Sequence, residues 1–130
     1  MASGLHFLLL LLLCSVSSEA RLRIFEISAS DLPSDIFGIT DAYIKVSVGS
    51  QSLGQTKVKD NQVNPWWEEE FYYSYAQQDD VLRLEVHDED TFFDDLLGIC
   101  SRQLQYGTHR FDCFLEEKGV LHYSYTLDSQ

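Results

Sequence analysis

Six aspartates carry the chemistry open to this chain. Asp35 and Asp41 lie ahead of the alternating segment "AYIKVSVG", and Asp88, Asp90, Asp94 and Asp95 follow the start of "VLRLEVHD". Asp88 to Asp95 holds five acidic residues in eight positions, with Phe92 and Phe93 set among them. Asp88 and Asp90 are two positions apart, so in extended chain their carboxylates point to the same side and can share an ion. Crowded carboxylates repel one another. The repulsion is relieved by proton uptake or by a hard divalent cation, and calcium, which takes roughly six to eight oxygen ligands, suits this donor set best. The stretch "DEDTFFD" starts with the rhythm of an EF-hand loop, but its sixth position is Phe93 where a glycine is required, and no helical pattern flanks it. A site made from these residues must be assembled from separate loops.

Catalysis finds less support. The four histidines, His6, His87, His109 and His122, stand near no G-x-S-x-G, His-Glu-x-x-His or phosphate-cradling glycine loop. The chain is expected not to be an enzyme.

The elements that would position the aspartates are strands. In "AYIKVSVG" Ile44, Val46 and Val48 fall on one face with Lys45 and Ser47 on the other, and "VLRLEVH" alternates Leu82, Leu84 and Val86 with Arg83 and Glu85. "RLRIFEISA" and "GVLHYSYTL" are rich in strand-forming residues, and weaker strands are expected at Ser52–Lys59, Glu69–Tyr75, Leu96–Arg102 and Thr108–Phe114. Turn-forming stretches separate them, and both prolines, Pro33 and Pro65, fall in the expected loops. The pattern predicts an all-β fold, an eight-stranded antiparallel β-sandwich.

The opening "MASGLHFLLLLLLCSVSSEA" has an apolar run too short for a membrane span, followed by small residues, and reads as a signal peptide over residues 1–20. Residues 21–130 then form one domain, expected to be secreted and extracellular. The formal charge of the whole chain is −12, and setting aside Glu19 leaves −11 after Ala20. Such a chain is repelled by nucleic acid and by anionic lipid unless something neutralises it. Cys14 leaves with the signal, and Cys100 and Cys113 remain as an even pair in an exported chain, read as one disulfide.

The motifs "SDLP", "TDAYIKV", "NPWWEEEF", "VHDED" and "DDLLG", in this order, resemble those of the C2 domain family over nearly all of residues 21–130. Within that family, "DAY", the tryptophan after "NP", "LLG" followed by a paired cysteine and "HYSY" near the end are most similar to perforin-type C2 domains, for which a perforin or phospholipase-type topology is expected. The resemblance implies that Asp35 and Asp41 from a first loop meet Asp88, Asp90 and Asp95 from a third to bind two or three calcium ions. Four residues rather than the usual five separate Asp90 from the aspartate before "LLG", so either Asp94 or Asp95 supplies the last ligand, with Asp95 aligning better.

C2 calcium loops gather at one end of the sandwich, which implies that Ile36 and Phe37 on the first loop and Phe92 and Phe93 on the third project beyond the ions. Trp66 in the second loop is a further candidate for membrane contact, whereas Trp67 is expected in the core. The expected function is calcium-dependent binding to a phospholipid membrane surface by a monomer that is peripheral on membranes when calcium-bound, in a perforin-like setting of immune defence or cytolysis. A calcium-independent module that uses the sandwich surface to bind an unknown protein partner is the alternative.

Overall fold

The computed structural model describes residues 20–35 and 38–129. The expected signal segment up to Glu19, the expected membrane residues Ile36 and Phe37, and the side chain of Asp35 lie outside the described residues.

The first strand, β1 (Ala20–Ser30), shows how sequence parity is converted into burial. Leu22 and Ile24 point into the core while Arg21 and Arg23 face out, yet Ile27 and Ala29, of opposite parity, are also buried. The register with the last strand shifts between Phe25 and Ser28, and Glu26 adopts a left-handed φ of 52°. That extra residue is a β-bulge, which turns the second half of the strand over so that both halves feed one core.

Next come the two-residue strands β2 (Ser34–Asp35) and β3 (Gly38–Ile39), then β4 (Ala42–Val48) and β5 (Gln51–Gln55). The fifth strand is shorter than the expected Ser52–Lys59. Thr56 leaves the ladder because its hydroxyl accepts the Ile44 N–H (2.9 Å) while its own N–H donates to the Ile44 carbonyl. β6 (Trp66–Trp67) and β7 (Phe71–Ala76) both pair with β1 and act as one interrupted strand. β8 (Val81–Asp88), β9 (Asp95–Gln103), β10 (Gly107–Phe114) and β11 (Val120–Ser129) complete the chain. With β6 and β7 taken together and the β2–β3 hairpin set aside, the expected eight strands are present.

They form two antiparallel sheets. One runs β10-β11-β1 with β6 and β7 beyond β1, and the other runs β5-β4-β8-β9. The core between them holds Leu22, Ile24 and Ile27 from β1, Ile44 and Val46 from β4, Leu82, Leu84 and Val86 from β8, and Leu121, Tyr123, Tyr125 and Leu127 from β11. Trp67 is 1% exposed, its indole N–H donating to the Lys57 carbonyl at 2.9 Å. The edge strands β9 and β10 of opposite sheets are joined by the Cys100–Cys113 disulfide, with the Cα atoms 6.2 Å apart.

Strand direction fixes the two poles. Ala20 pairs with Ser129 at one end of the β1–β11 ladder, and Ser30 pairs with Val120 at the other. The first loop (residues 31–41) leaves from the Ser30 end. The Asp31 N–H donates to the Asn64 side-chain oxygen and the Leu32 N–H to the Val63 carbonyl, both at 2.9 Å, which fastens the loop between β5 and β6 beside it. The third loop, between β8 and β9, emerges at the same pole.

Candidate metal centre

Cross-strand pairing brings the aspartates together. Ala42 stands opposite Asp88 in the β4–β8 ladder, and Asp88 stands opposite Asp95 in the β8–β9 ladder. Asp41 therefore sits beside the end of β8: its N–H donates to Asp88 Oδ1 at 2.9 Å, and its carbonyl accepts the Glu89 N–H at 2.8 Å. The second loop is bound in as well, because the Asn61 N–H donates to Asp41 Oδ1 at 2.7 Å. Bases of all three loops are thus fixed by hydrogen bonds that leave carboxylate oxygens free to take further partners.

Above these bonds lies a cleft of about 420 Å³. Asp41, Asp88, Glu89, Asp90 and Asp95 line one part of it, and Ser34 with Gly38, Ile39 and Thr40 of the first loop line another. The backbone of Asp35 pairs with Gly38 at the rim of this wall. Asp41, Asp88, Asp90 and Asp95 have no Lys, Arg or His in ion pairs with them among the described residues. Burial first, and then the charges of Asp41, Asp95 and Asp90, push the Asp88 carboxyl above the ordinary carboxylate range, against the opposing pull of the Asp41 N–H. Unneutralised negative charge is therefore concentrated at Asp88.

The two candidate positions before "LLG" are separated by their contacts. Asp95 lines the cleft, whereas Asp94 does not. Asp94 Oδ2 accepts the Tyr43 hydroxyl and Oδ1 accepts the Asp90 N–H at 3.2 Å, so this side chain braces the loop from outside. That hydrogen bond lowers the Asp94 carboxyl, while burial and then the same bond raise the Tyr43 hydroxyl to about 12. Tyr43 also stacks on His87, with ring centroids 5.2 Å apart, and His87 bonds to Glu85 at 2.9 Å. This bracing was hidden from sequence reasoning because its partners lie 51 positions apart.

The donor set fits a hard cation: carboxylates without basic partners, open to a polar cleft. Among the described residues no three acidic, histidine or cysteine side chains already stand in metal-holding geometry. At the tip of the third loop Phe92 is 91% and Phe93 70% exposed, so neither ring folds into the core. Trp66 is 57% exposed, directly after the second loop.

A second polar cluster escaped the sequence reading altogether. Ser30 Oγ lies 2.9 Å from His122 Nε2, and His122 Nδ1 lies 2.6 Å from Asp112 Oδ1. The order of groups imitates a hydrolase triad. It lacks the accompanying oxyanion donors, because the N–H groups of Asp31 and Leu32 that follow the serine are already bonded to Asn64 and Val63. Its three residues sit on β1, β11 and β10 and fasten those strands together.

Compared with known families, residues 20–120 match the C2 domain. The chain belongs to the C2 domain family. Perforin-1 of Homo sapiens is 37% identical over 109 residues, covering 82% of this chain and 19% of perforin-1. A solved C2 domain superposes with a TM-score of 0.81 at 58% identity, covering 84% of this chain and 98% of the other. The C2A and C2B domains of extended synaptotagmin 2 with calcium bound superpose at a TM-score of 0.69 and 29% identity, over 83% of this chain and 45% of that one. This C2 domain spans less than a fifth of the length of perforin-1 and of two Arabidopsis thaliana C2 proteins.

Proposed function

We propose that this C2 domain is an exported module that docks on phospholipid membrane surfaces when it holds two or three calcium ions. The observation that carries the reading is the convergence of Asp41, Asp88, Asp90 and Asp95 on one cleft, with Phe92 and Phe93 exposed on the loop beside it. Asp35 joins the ligand set from the first loop, and Asp94 holds the third loop in place.

Calcium, when bound, supplies positive charge and open coordination positions for lipid phosphate oxygens. The protein's residues do the rest. The hydrogen-bonded loop bases hold the carboxylates ready, so little backbone ordering opposes ion binding. Phe92 and Phe93, with Ile36 and Phe37 on the first loop, enter the interfacial region of the bilayer, and Trp66 lies alongside. Fully burying one such side chain is worth about 1.5–3 kcal/mol, so even partial burial of several gives a usable membrane affinity. With a net charge of −11 after Ala20, the metal-free form is held off anionic surfaces.

The likeness to perforin-1 and to calcium-bound extended synaptotagmin 2 supports the membrane and calcium parts of the reading. Immune defence is the proposed setting, with membrane attachment rather than lysis as the task of this segment. Binding is its proposed role, with no catalytic step assigned.

Vesicle sedimentation tests the proposal. The protein should pellet with phosphatidylcholine–phosphatidylserine vesicles at about 1 mM calcium, the range of extracellular modules, and stay in solution with chelator. Pelleting that ignores the chelator, or none at that calcium level, removes the reading and favours the protein-binding alternative.

A further inference from the structure

A flank of the sandwich behind the third loop carries apolar surface that neither the core nor the calcium cleft uses. Leu96 is 46%, Ile99 41% and Phe114 82% exposed. Leu96 and Ile99 are on β9, Phe114 ends β10, and all three line one groove of about 120 Å³. Gly98 shapes that groove. A Cβ there would lie 2.9 Å from Leu115 Cδ2, so only glycine lets Leu115 settle against β9 and bring the β10–β11 hairpin up to it.

The flank sits at the loop-bearing pole. Phe114 pairs with Val120, and Val120 pairs with Ser30, the residue from which the first loop departs. Leu96 directly follows Asp95 of the cleft. The disulfide between Cys100 and Cys113, one residue before Phe114, makes this edge a fixed surface rather than two independent strands.

We infer that the bilayer covers the Leu96–Ile99–Phe114 flank together with the loop tips, so that the domain docks leaning onto its β9–β10 edge. The inference rests on the membrane-docking reading above and adds the orientation. Its ground is position: Phe92 and Phe93 lie on the loop that leads into β9, Leu96 is the second residue of that strand, and the register sets Phe114 at the same pole. The one charged residue in the groove is Glu116, so its attraction is to apolar or zwitterionic surface rather than to anionic headgroups. Distance makes upright and leaning docking distinguishable. At about 3.4 Å per residue, Ile99 lies roughly 14 Å behind Asp95 along β9. Insertion to about 5–10 Å from the tips alone leaves it in water.

Two measurements test this. In calcium, phosphatidylcholine nanodiscs carrying a doxyl-labelled lipid should broaden the methyl signals of Leu96 and Ile99, and not those of exposed Val81 at the opposite pole. Replacing Phe114→Ala with Ile99→Ser should weaken calcium-dependent vesicle binding about tenfold, while the melting temperature and its calcium-induced rise stay as in the parent. Unbroadened Ile99 and unchanged vesicle affinity in this pair, with binding lost in Phe92→Ala with Phe93→Ala, overturn the leaning orientation and leave upright docking. Phe114→Ala alone guards against misfolding of the pair, because that ring makes no contribution to the core. Failure of the parent protein to bind vesicles in calcium overturns the docking reading itself, and the flank inference falls with it.

Discussion

Asp88 is the residue on which repulsion at the site is focused, and its energetics give a test that needs no membrane. Its folded pKa is raised, so the folded metal-free protein binds a proton more readily than the unfolded chain does. Between the ordinary carboxylate value and that raised value, stability therefore falls as pH rises, and the penalty is fully present at neutral pH. Asp88→Asn removes the charge but keeps a side-chain oxygen for the Asp41 N–H. The expected outcome is a metal-free protein that melts higher than the parent at pH 7, with the difference shrinking in acid, and that has lost most calcium-induced stabilisation; thermal melts across pH with and without calcium decide it. At this scale much was legible beforehand. Asp88 and Asp90 could be assigned to one loop and one side from their spacing alone. Alignment favoured Asp95 over Asp94, but the engagement of Asp94 by the Tyr43 hydroxyl was not visible, and the Ser30–His122–Asp112 cluster has no local signature because the strands that unite it are far apart in the chain.

Strands and their fastenings were the most readable level and also contained the least readable detail. Alternation in β4 and β8 was plain because one face of each is buried. The bulge at Glu26 was not, since no glycine or proline marks it and the reversal of parity shows only once β1 is paired with β11. Likewise, the end of β5 is set by a bond between Thr56 and Ile44 across the ladder, which no local propensity encodes. The disulfide between the edge strands has a measurable weight. Constraining a loop of this length in the unfolded chain contributes roughly 3 kcal/mol in the loop-entropy account. Replacing both cysteines, Cys100→Ser with Cys113→Ser, should lower the unfolding free energy by about that amount in urea titrations while calcium binding persists, because the cleft is built from the loops and from the polar ends of β8 and β9, at Asp88 and Asp95, rather than from the part of the edge that holds the cysteines.

The whole molecule gathers its acidic cleft and much of its exposed apolar surface at one pole. Of the exposed large apolar side chains, Ile39, Trp66, Phe92, Phe93, Leu96 and Phe114 lie toward the cleft end, and Tyr75, Val81 and Tyr106 toward the other. If apolar insertion carries attachment, binding of the calcium-loaded protein to zwitterionic vesicles should survive about 1 M sodium chloride, where the Debye length is only about 3 Å. Loss of more than tenfold there would mean that attraction between charges dominates instead; sedimentation over a salt series reads it out. The opposition of poles has a practical corollary. Because Ala20 and Ser129 are neighbours at the end away from the loops, a fluorescent label attached at Ser129 starts out, in the proposed docking, on the side facing the solution, and such a label reports on attachment without intruding on the contact it measures.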